Sequence, residues 1–227
     1  MAKNGFKLID AEMHVMEPVD LWDRYIAPEF KDRAPRRLSE RRWDIRTLVE
    51  GEVMAIPITD EGDKIIAEVY AEELARGFDA ESQVIAMNKE GLDLAVLYPT
   101  AGTFITAKDG MDPRLAAAAC RAYNDWLYDY IQAGDPKRTF GAACVSPHDA
   151  ETAAQEANRA LTELGFKAIF VRPNMFNGRA WHDPYYDPLW AECQSLDIPV
   201  GFHAGGRPSG VAQVGDREFS DRMLHHV

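Results

Sequence analysis

Cysteine is scarce in this 227-residue chain, and its few cysteines form no recognisable pair. Cys120, Cys144 and Cys193 are odd in number, lie far apart and contain no CxxC spacing. This arrangement argues against a disulfide framework and against a cysteine-based zinc site. We interpret all three as reduced, buried thiols, which predicts a cytoplasmic protein.

Long apolar runs and an excess of positive charge are also missing. No apolar run approaches the ~18–20 residues of a membrane span, and residues 1–5 lead into a strand without a signal-peptide core. The chain has 25 basic and 37 acidic residues, a net charge of −12, which argues against a nucleic-acid partner. Neither the GxSxG motif of serine hydrolases nor a phosphate-binding GxxxxGK[ST] loop occurs. We therefore predict a small-molecule substrate, with neither membrane nor nucleic acid as partner.

The sequence does contain short apolar runs, separated by longer segments with helical periodicity. Near-continuous apolar runs of this length are typical of parallel strands that are buried on both faces. The first run contains Phe6, Leu8 and Ile9, and the others are 92–97, 140–145, 168–171 and 199–202.

The helical segments between these runs have recognisable first residues. Asp79, Asp112 followed by Pro113, and Asp149 are predicted N-caps. The predicted helices run from Asp79 to near Gly91, from Asp112 to about Gln132, from Asp149 to Gly165 and from Pro188 to Leu196. Because strands and helices alternate, the sequence predicts an α/β protein.

The segment 20–76 interrupts this alternation. It contains several prolines and a basic cluster, and it indicates a short helix and a hairpin between Trp43 and Ile58. An insertion after a first barrel strand would lie over the catalytic face as a lid or a pocket wall. A solvated excursion or an oligomer contact explains the segment equally well.

Polar metal-binding side chains follow the first and last apolar runs. Glu12 and His14 stand two residues apart, so they share one face of a strand. His203 directly follows the strand that ends at Phe202. A carboxylate and imidazoles are suitable ligands for zinc, manganese or a similar divalent ion. These three residues are our predicted metal ligands, although Glu12 as a helix cap and His14 as a packed histidine remain the simpler alternatives.

Three further residues lie after predicted strands. His148 and His182 are candidates for acid–base chemistry or substrate contact, although loop histidines are usually solvated. Arg172 follows the fourth strand, where its guanidinium could bind a substrate carboxylate bidentately or form a structural salt bridge. The C-terminal pair His225 and His226 falls in a helical pattern, and adjacent helical residues point about 100° apart, so we interpret both as ordinary helix residues.

Several ordered motifs resemble the amidohydrolase-related family, the group of metal-dependent hydrolases and non-oxidative decarboxylases that includes aminocarboxymuconate-semialdehyde decarboxylase. The resemblance covers nearly the whole chain. It rests on the segments 9–14, 17–22, 32–35, 97–100, 122–127, 186–190 and 199–203, together with Tyr25.

The resemblance implies a (β/α)₈ TIM barrel, present here as about five of its eight strand–helix units in a single domain, 1–227. It assigns Glu12 and His14 to the ligand motif of the first strand and His203 to the fifth-strand ligand. The family also has an aspartate after strand eight, and nothing in this sequence matches it. We therefore expect an N-terminal portion of a longer enzyme, which forms homo-oligomers in its full-length form.

By the same resemblance, we expect one divalent metal ion, with zinc favoured and manganese or iron as alternatives. The expected activity is hydrolysis or non-oxidative decarboxylation of a small carboxylated, aromatic substrate, and the residues do not separate these two reactions. His148 and Arg172 are the predicted catalytic residues, and Arg172 and His182 the predicted substrate contacts. A different class remains open: a non-catalytic barrel fragment that associates through its open sheet edge.

Overall fold

The computed structural model describes residues 5–55 and 57–203, and its strands form two separate sheets. The strands are β1 (Ile9–His14), β2 (Arg36–Arg37), β3 (Thr47–Val49), β4 (Glu52–Met54), β5 (Leu94–Tyr98), β6 (Thr139–Cys144), β7 (Ala168–Val171) and β8 (Val200–Phe202). The main sheet has the order β1-β5-β6-β7-β8, and all of its neighbouring strands are parallel. The five predicted strands are thus confirmed, with small differences at their ends.

Helices connect the strands of the main sheet, as the sequence predicts. The α-helices are α1 (Leu21–Tyr25), α2 (Asp60–Val69), α3 (Ala71–Ala75), α4 (Ala80–Glu90), α5 (Gly102–Ile105), α6 (Pro113–Ala133), α7 (Ala150–Thr162) and α8 (Asp187–Ser195). Short 3₁₀ helices span Pro28–Arg33 and Pro184–Tyr186. The side chains of Asp79, Asp112 and Asp149 each accept a backbone N–H of the first turn, so all three predicted N-caps are confirmed.

Burial differs strongly between the middle and the outer strands of the main sheet. Every residue of β7 is buried, and β6 is buried at all but one position. In β1, by contrast, four of six residues are exposed, and Phe202 of β8 is 57% exposed. The apolar composition of the middle strands therefore reflects helices packed on one face and the barrel interior on the other.

The main sheet is curled, because its two outer strands approach each other. His14 in β1 and His203 after β8 place their Nε2 atoms 3.0 Å apart, although the two strands are at opposite ends of the strand order. A closed (β/α)₈ barrel has eight such strands. The described residues form five of them, which confirms the predicted α/β class and the incomplete barrel.

The segment 20–76 folds beside the barrel. The predicted hairpin is present as the antiparallel pair β3 and β4, and β2 adds a third strand to it. The sequence interpretation missed α2 and α3, which have no buried residue between them. Their role as a lid or as an oligomer contact stays a prediction.

Residues 204–227, including the predicted C-terminal helix residues His225 and His226, lie outside the described residues. Among the residues that the structure describes, no helix is both long enough and apolar enough to cross a membrane.

Candidate metal centre

The carboxyl ends of the parallel strands meet at one edge of the main sheet, and the predicted ligands lie there. His14 is the last residue of β1, where it pairs with Tyr98, the last residue of β5. His203 directly follows β8, and its backbone N–H donates to the carbonyl of Val171 at the end of β7. This edge is where (β/α)₈ enzymes carry their active sites.

A β-bulge in β1 sets the direction of its two ligands. The pairing of β1 with β5 shifts by one residue between Asp10 and Met13. Asp10 supports this bulge, because its Oδ1 accepts the backbone N–H of Glu12 at 3.0 Å. A bulge bends the strand and re-aims the side chains that follow it.

The three predicted ligands converge on one point. The Nε2 atom of His203 is 2.8 Å from Oε1 of Glu12 and 3.0 Å from Nε2 of His14, and the remaining pair is 3.9 Å apart. The ligand atoms all lie within 4.8 Å of one another. Atoms that bind one ion at about 2.0–2.2 Å are themselves roughly 3–3.5 Å apart. The donor set and its spacing therefore fit a single divalent cation.

Hydrogen bonding fixes the tautomer of His14. Its Nδ1–H donates to the backbone carbonyl of Pro99 at 2.8 Å. In the neutral imidazole, Nε2 then carries a lone pair, and it faces His203 and Glu12. A backbone carbonyl on the far nitrogen is the arrangement that orients most metal-binding histidines.

The site is open on one side and packed on the other. The Glu12 side chain is 62% exposed, whereas the His203 side chain is only 12% exposed. The ring of Tyr98 packs against His203, with the ring centroids 5.9 Å apart. Burial, with a smaller contribution from the Glu12 carboxylate, raises the pKa of the Tyr98 hydroxyl. A β-carbon at Gly201 would lie 2.6 Å from that hydroxyl, so glycine permits this close approach.

Arg172 lies next to the ligand cluster in the sheet and is almost entirely buried. It directly follows β7, the neighbour of β8. The residue is 4% exposed, and its guanidinium lies over the ring of Phe104. Burial lowers the pKa of the guanidinium to about 10, so it remains protonated at neutral pH. The backbone carbonyl of Arg172 accepts the indole N–H of Trp181 at 2.6 Å, which anchors the loop after β7.

His148 and His182 occupy contrasting environments. His182 is exposed in the turn after β7, whereas His148 is 3% exposed. Nε2–H of His148 donates to the backbone carbonyl of Lys108, and Nδ1 accepts from the hydroxyl of Ser146. His148 therefore joins the loop after β6 to the loop after β5. Its catalytic role, like the substrate contact of His182, stays a prediction.

The burial of His148 predicts a pH-dependent stability. Desolvation lowers its pKa below the usual value of 6.5, although the Lys108 carbonyl and the charges of Asp109 and Glu50 act in the opposite direction and the charge of Lys108 adds to the lowering. Below about pH 6.5 the unfolded chain gains a proton at His148 that the folded chain does not bind. The free energy of unfolding therefore decreases as the pH is lowered.

The measurement is urea unfolding of the wild type and of His148→Gln at pH 7.5 and pH 5.5. Glutamine keeps an N–H donor for Lys108 but does not titrate. We expect the variant to lose less stability between the two pH values than the wild type. Equal losses would assign the pH dependence to other groups.

The sequence interpretation gave no role to Glu17, although the residue lies in the segment 17–22 that resembles the family. Glu17 is completely buried, and its carboxylate accepts backbone N–H groups of the loop after β5. No local pattern marks Glu17, because its partners lie more than 80 residues away along the chain.

Comparisons with known proteins agree with the fold. The family model described as amidohydrolase matches residues 9–226. Gamma-resorcylate decarboxylase of a Polaromonas species is 30% identical over 128 residues, which cover 54% of this chain and 38% of the relative. The chain spans less than half the length of the curated relatives that it matches.

Two solved structures resemble the fold. An amidohydrolase of Mycobacterium avium subsp. paratuberculosis has a TM-score of 0.65 at 23% identity, over 87% of this chain and 58% of that chain. The 5-carboxyvanillate decarboxylase of Novosphingobium aromaticivorans has a TM-score of 0.58 at 23% identity, over 88% of this chain and 51% of that chain. The latter was solved with manganese and 3-methoxy-4-hydroxy-5-nitrobenzoic acid. With the half-barrel, the strand-end ligands and a family match over nearly its whole length, the chain belongs to the amidohydrolase family.

Proposed function

We propose that this chain carries the metal-binding site of a metal-dependent carboxy-lyase, which removes CO₂ from a small aromatic carboxylic acid. The observation that carries the proposal is the convergence of Glu12, His14 and His203, from segments 189 residues apart, on one point at the strand ends. Decarboxylation is favoured over hydrolysis because several similar curated proteins are named as decarboxylases, including gamma-resorcylate decarboxylase, while a less similar one is named as a hydratase.

The metal in this proposal is one divalent ion bound by these three side chains. Such an ion supplies Lewis acidity, which orients an anionic substrate and stabilises negative charge. Zinc, favoured from the sequence, and manganese both suit a carboxylate with two imidazoles. The manganese in the similar 5-carboxyvanillate decarboxylase makes manganese the first ion to test.

The other residues of the site would bind and orient the substrate. Arg172 directly follows β7, the strand next to β8, and its pKa of about 10 leaves it protonated at neutral pH, so it would pair with a carboxylate or a phenolate. Its burial excludes water, which strengthens such a pair. His182, exposed on the loop after β7, would contact the outer part of the substrate.

The test is product analysis with the 227-residue chain in Mn²⁺-containing buffer. The substrates are γ-resorcylate and 5-carboxyvanillate, and benzoate serves as the control without a hydroxyl beside the carboxylate. We expect release of CO₂ from a hydroxylated acid and, in D₂O, a phenol with one deuterium at the ring carbon that carried the carboxylate. The phenol should contain no ¹⁸O from labelled water, because decarboxylation forms no bond between water and the ring, whereas ¹⁸O in the phenol would indicate attack by water. Failure to release CO₂ from any hydroxylated acid would contradict a carboxy-lyase activity of this chain.

Association without catalysis is the second candidate function. The outer strands of the main sheet expose apolar side chains, with Ile9 60% and Phe202 57% exposed. Unpaired strand edges of this kind are templates for association with another chain. Analytical ultracentrifugation tests this candidate: concentration-dependent association that Phe202→Lys abolishes would support it, and a monomer at all concentrations would exclude it.

A further inference from the structure

Glu17 is a buried acid that lies outside the ligand set. The residue is 0% exposed and lies in the segment after β1. Its Oε1 accepts the backbone N–H groups of Thr100 and Gly102 at 3.0 and 2.9 Å, and its Oε2 accepts that of Ala101 at 3.0 Å. One carboxylate thus satisfies three consecutive backbone donors of the loop after β5.

The loop that Glu17 holds is also the loop that orients His14. Pro99, directly before the three donors, provides the carbonyl that accepts Nδ1–H of His14. The hydroxyl of Thr100 donates to the carbonyl of Val15 at 2.7 Å, which ties the same loop to the residue after His14. The position of the Pro99 carbonyl therefore depends on the contacts that fix residues 100–102.

We propose that Glu17 is a positioning residue for the metal centre, which acts through the Pro99 carbonyl to hold His14 in its Nδ1–H tautomer with Nε2 directed at the ion. The proposal rests on the metal centre proposed above. Glu17 makes no contact with the ligand atoms themselves among its described hydrogen bonds. Its effect passes from the Glu17 carboxylate to Thr100, from there to the adjacent Pro99, and through the Pro99 carbonyl to the imidazole of His14.

A test has to separate the effect of the Glu17 hydrogen bonds on the loop from the effect of its negative charge on the ion. Glu17→Gln removes a negative charge, which alone would weaken the binding of a cation. Gly102 offers a variant that leaves the charge in place, because a β-carbon there would lie 2.9 Å from Cβ of Pro99 and 3.4 Å from Oε1 of Glu17. Gly102→Ala is therefore expected to displace the Pro99 end of the loop while Glu17 is retained.

Glu156 provides a matched control for lost stability. It is also a buried glutamate with several hydrogen bonds, to Asn124 and Arg159, but it lies on α7. Glu156→Gln should lower the stability of the fold without a change in the loop that holds His14.

The first measurement is titration with Co²⁺, followed by visible absorption, which reports both the Kd and the ligand geometry. We expect Glu17→Gln and Gly102→Ala to raise the Kd about tenfold or more and to change the absorption bands, since contacts behind a ligand are typically worth ~10–100-fold. Glu156→Gln should bind Co²⁺ like the wild type. The proposal would be overturned if Glu17→Gln and Gly102→Ala both bind Co²⁺ like the wild type, or if Glu156→Gln weakens Co²⁺ binding equally.

The second measurement uses metal-free protein, so that it does not depend on the metal centre. Nitrogen-15 NMR of the histidine rings at pH 8.5 distinguishes the two tautomers of His14, whose signal is assigned with His14→Gln. We expect Nδ1–H in the wild type and in Glu156→Gln, and a larger share of Nε2–H in Glu17→Gln. An unchanged tautomer in Glu17→Gln would overturn the role of Glu17. If the wild type binds no Co²⁺ but Glu17→Gln shows the tautomer change, only the metal centre is contradicted.

Discussion

Replacement of His203 by alanine is expected to abolish specific metal binding. The variant removes the nitrogen that lies closest to both other ligand atoms, 2.8 Å from Glu12 and 3.0 Å from His14. The two remaining ligands, Glu12 and His14, both lie on β1, so no ligand would reach the ion from the other edge of the sheet. We expect the Kd for Mn²⁺, measured by calorimetric titration, to rise about 100-fold or more, because contacts behind the ligands are already worth ~10–100-fold.

His182→Ala is the matched control for this experiment, because it removes an exposed histidine outside the cluster. Its Mn²⁺ affinity should equal that of the wild type. If His203→Ala also binds one equivalent of Mn²⁺ with wild-type affinity, the three residues do not form the metal centre. The proposed carboxy-lyase site would then have no support from the geometry.

The change Asn124→Asp is expected to cause the largest loss of stability. Asn124 is fully buried on α6, and its amide donates to the carbonyl of Cys144 at 2.9 Å and to Glu156 at 2.8 Å. Its Oδ1 accepts the N–H of Cys144. In aspartate, an oxygen that only accepts would replace the amide NH₂ and face the Cys144 carbonyl and the Glu156 carboxylate. Two carboxylates would then lie in contact in the interior. The free energy of unfolding should fall by about 3 kcal/mol or more, since buried polar groups would lose their partners.

The control for Asn124→Asp is the same change at an exposed position. Asn158 on α7 also donates its amide to a glutamate, Glu192, at 2.7 Å, but the residue is exposed. Asn158→Asp should change the free energy of unfolding by no more than about 0.5 kcal/mol. Urea unfolding at pH 7.5 measures both variants. Similar losses for the two would mean that the links from α6 to β6 and α7 do not depend on the burial of Asn124.

The strands and the clustering of the three candidate ligands were predictable because each depends on local sequence. The run from Ala168 to Val171 is apolar and short, and the structure has a strand with those bounds. The caps Asp79, Asp112 and Asp149 are read from single residues next to periodic segments. Glu12, His14 and His203 stand at strand ends, where the fold brings side chains together regardless of their separation along the chain.

The rest of the site depends on contacts that leave no local pattern. Glu17 looks like an ordinary loop acid, yet it is buried because three backbone donors of a distant loop compensate it. His148 looks like a free loop histidine, but the Lys108 carbonyl and the packing around it take the ring into the interior. The helix α2 was missed although the Thr59 side chain caps it; its apolar residues Ile65 and Val69 are exposed, so the helix does not belong to the buried strand–helix alternation.

Because Glu12 and His14 lie on one outer strand of the described sheet and His203 follows the other, an ion bound by all three would be a cross-link across the half-barrel. Such an ion would join β1 to the residue after β8, which are separated by almost the entire described chain. Ion binding and the curvature of the sheet would therefore be thermodynamically linked. Any force that flattens the sheet would separate the ligands, and any bound ion would resist flattening. At a free metal concentration 100 times the Kd, this linkage adds about 2.7 kcal/mol to the free energy of unfolding. The ion would thus shape the molecule as well as serve its chemistry.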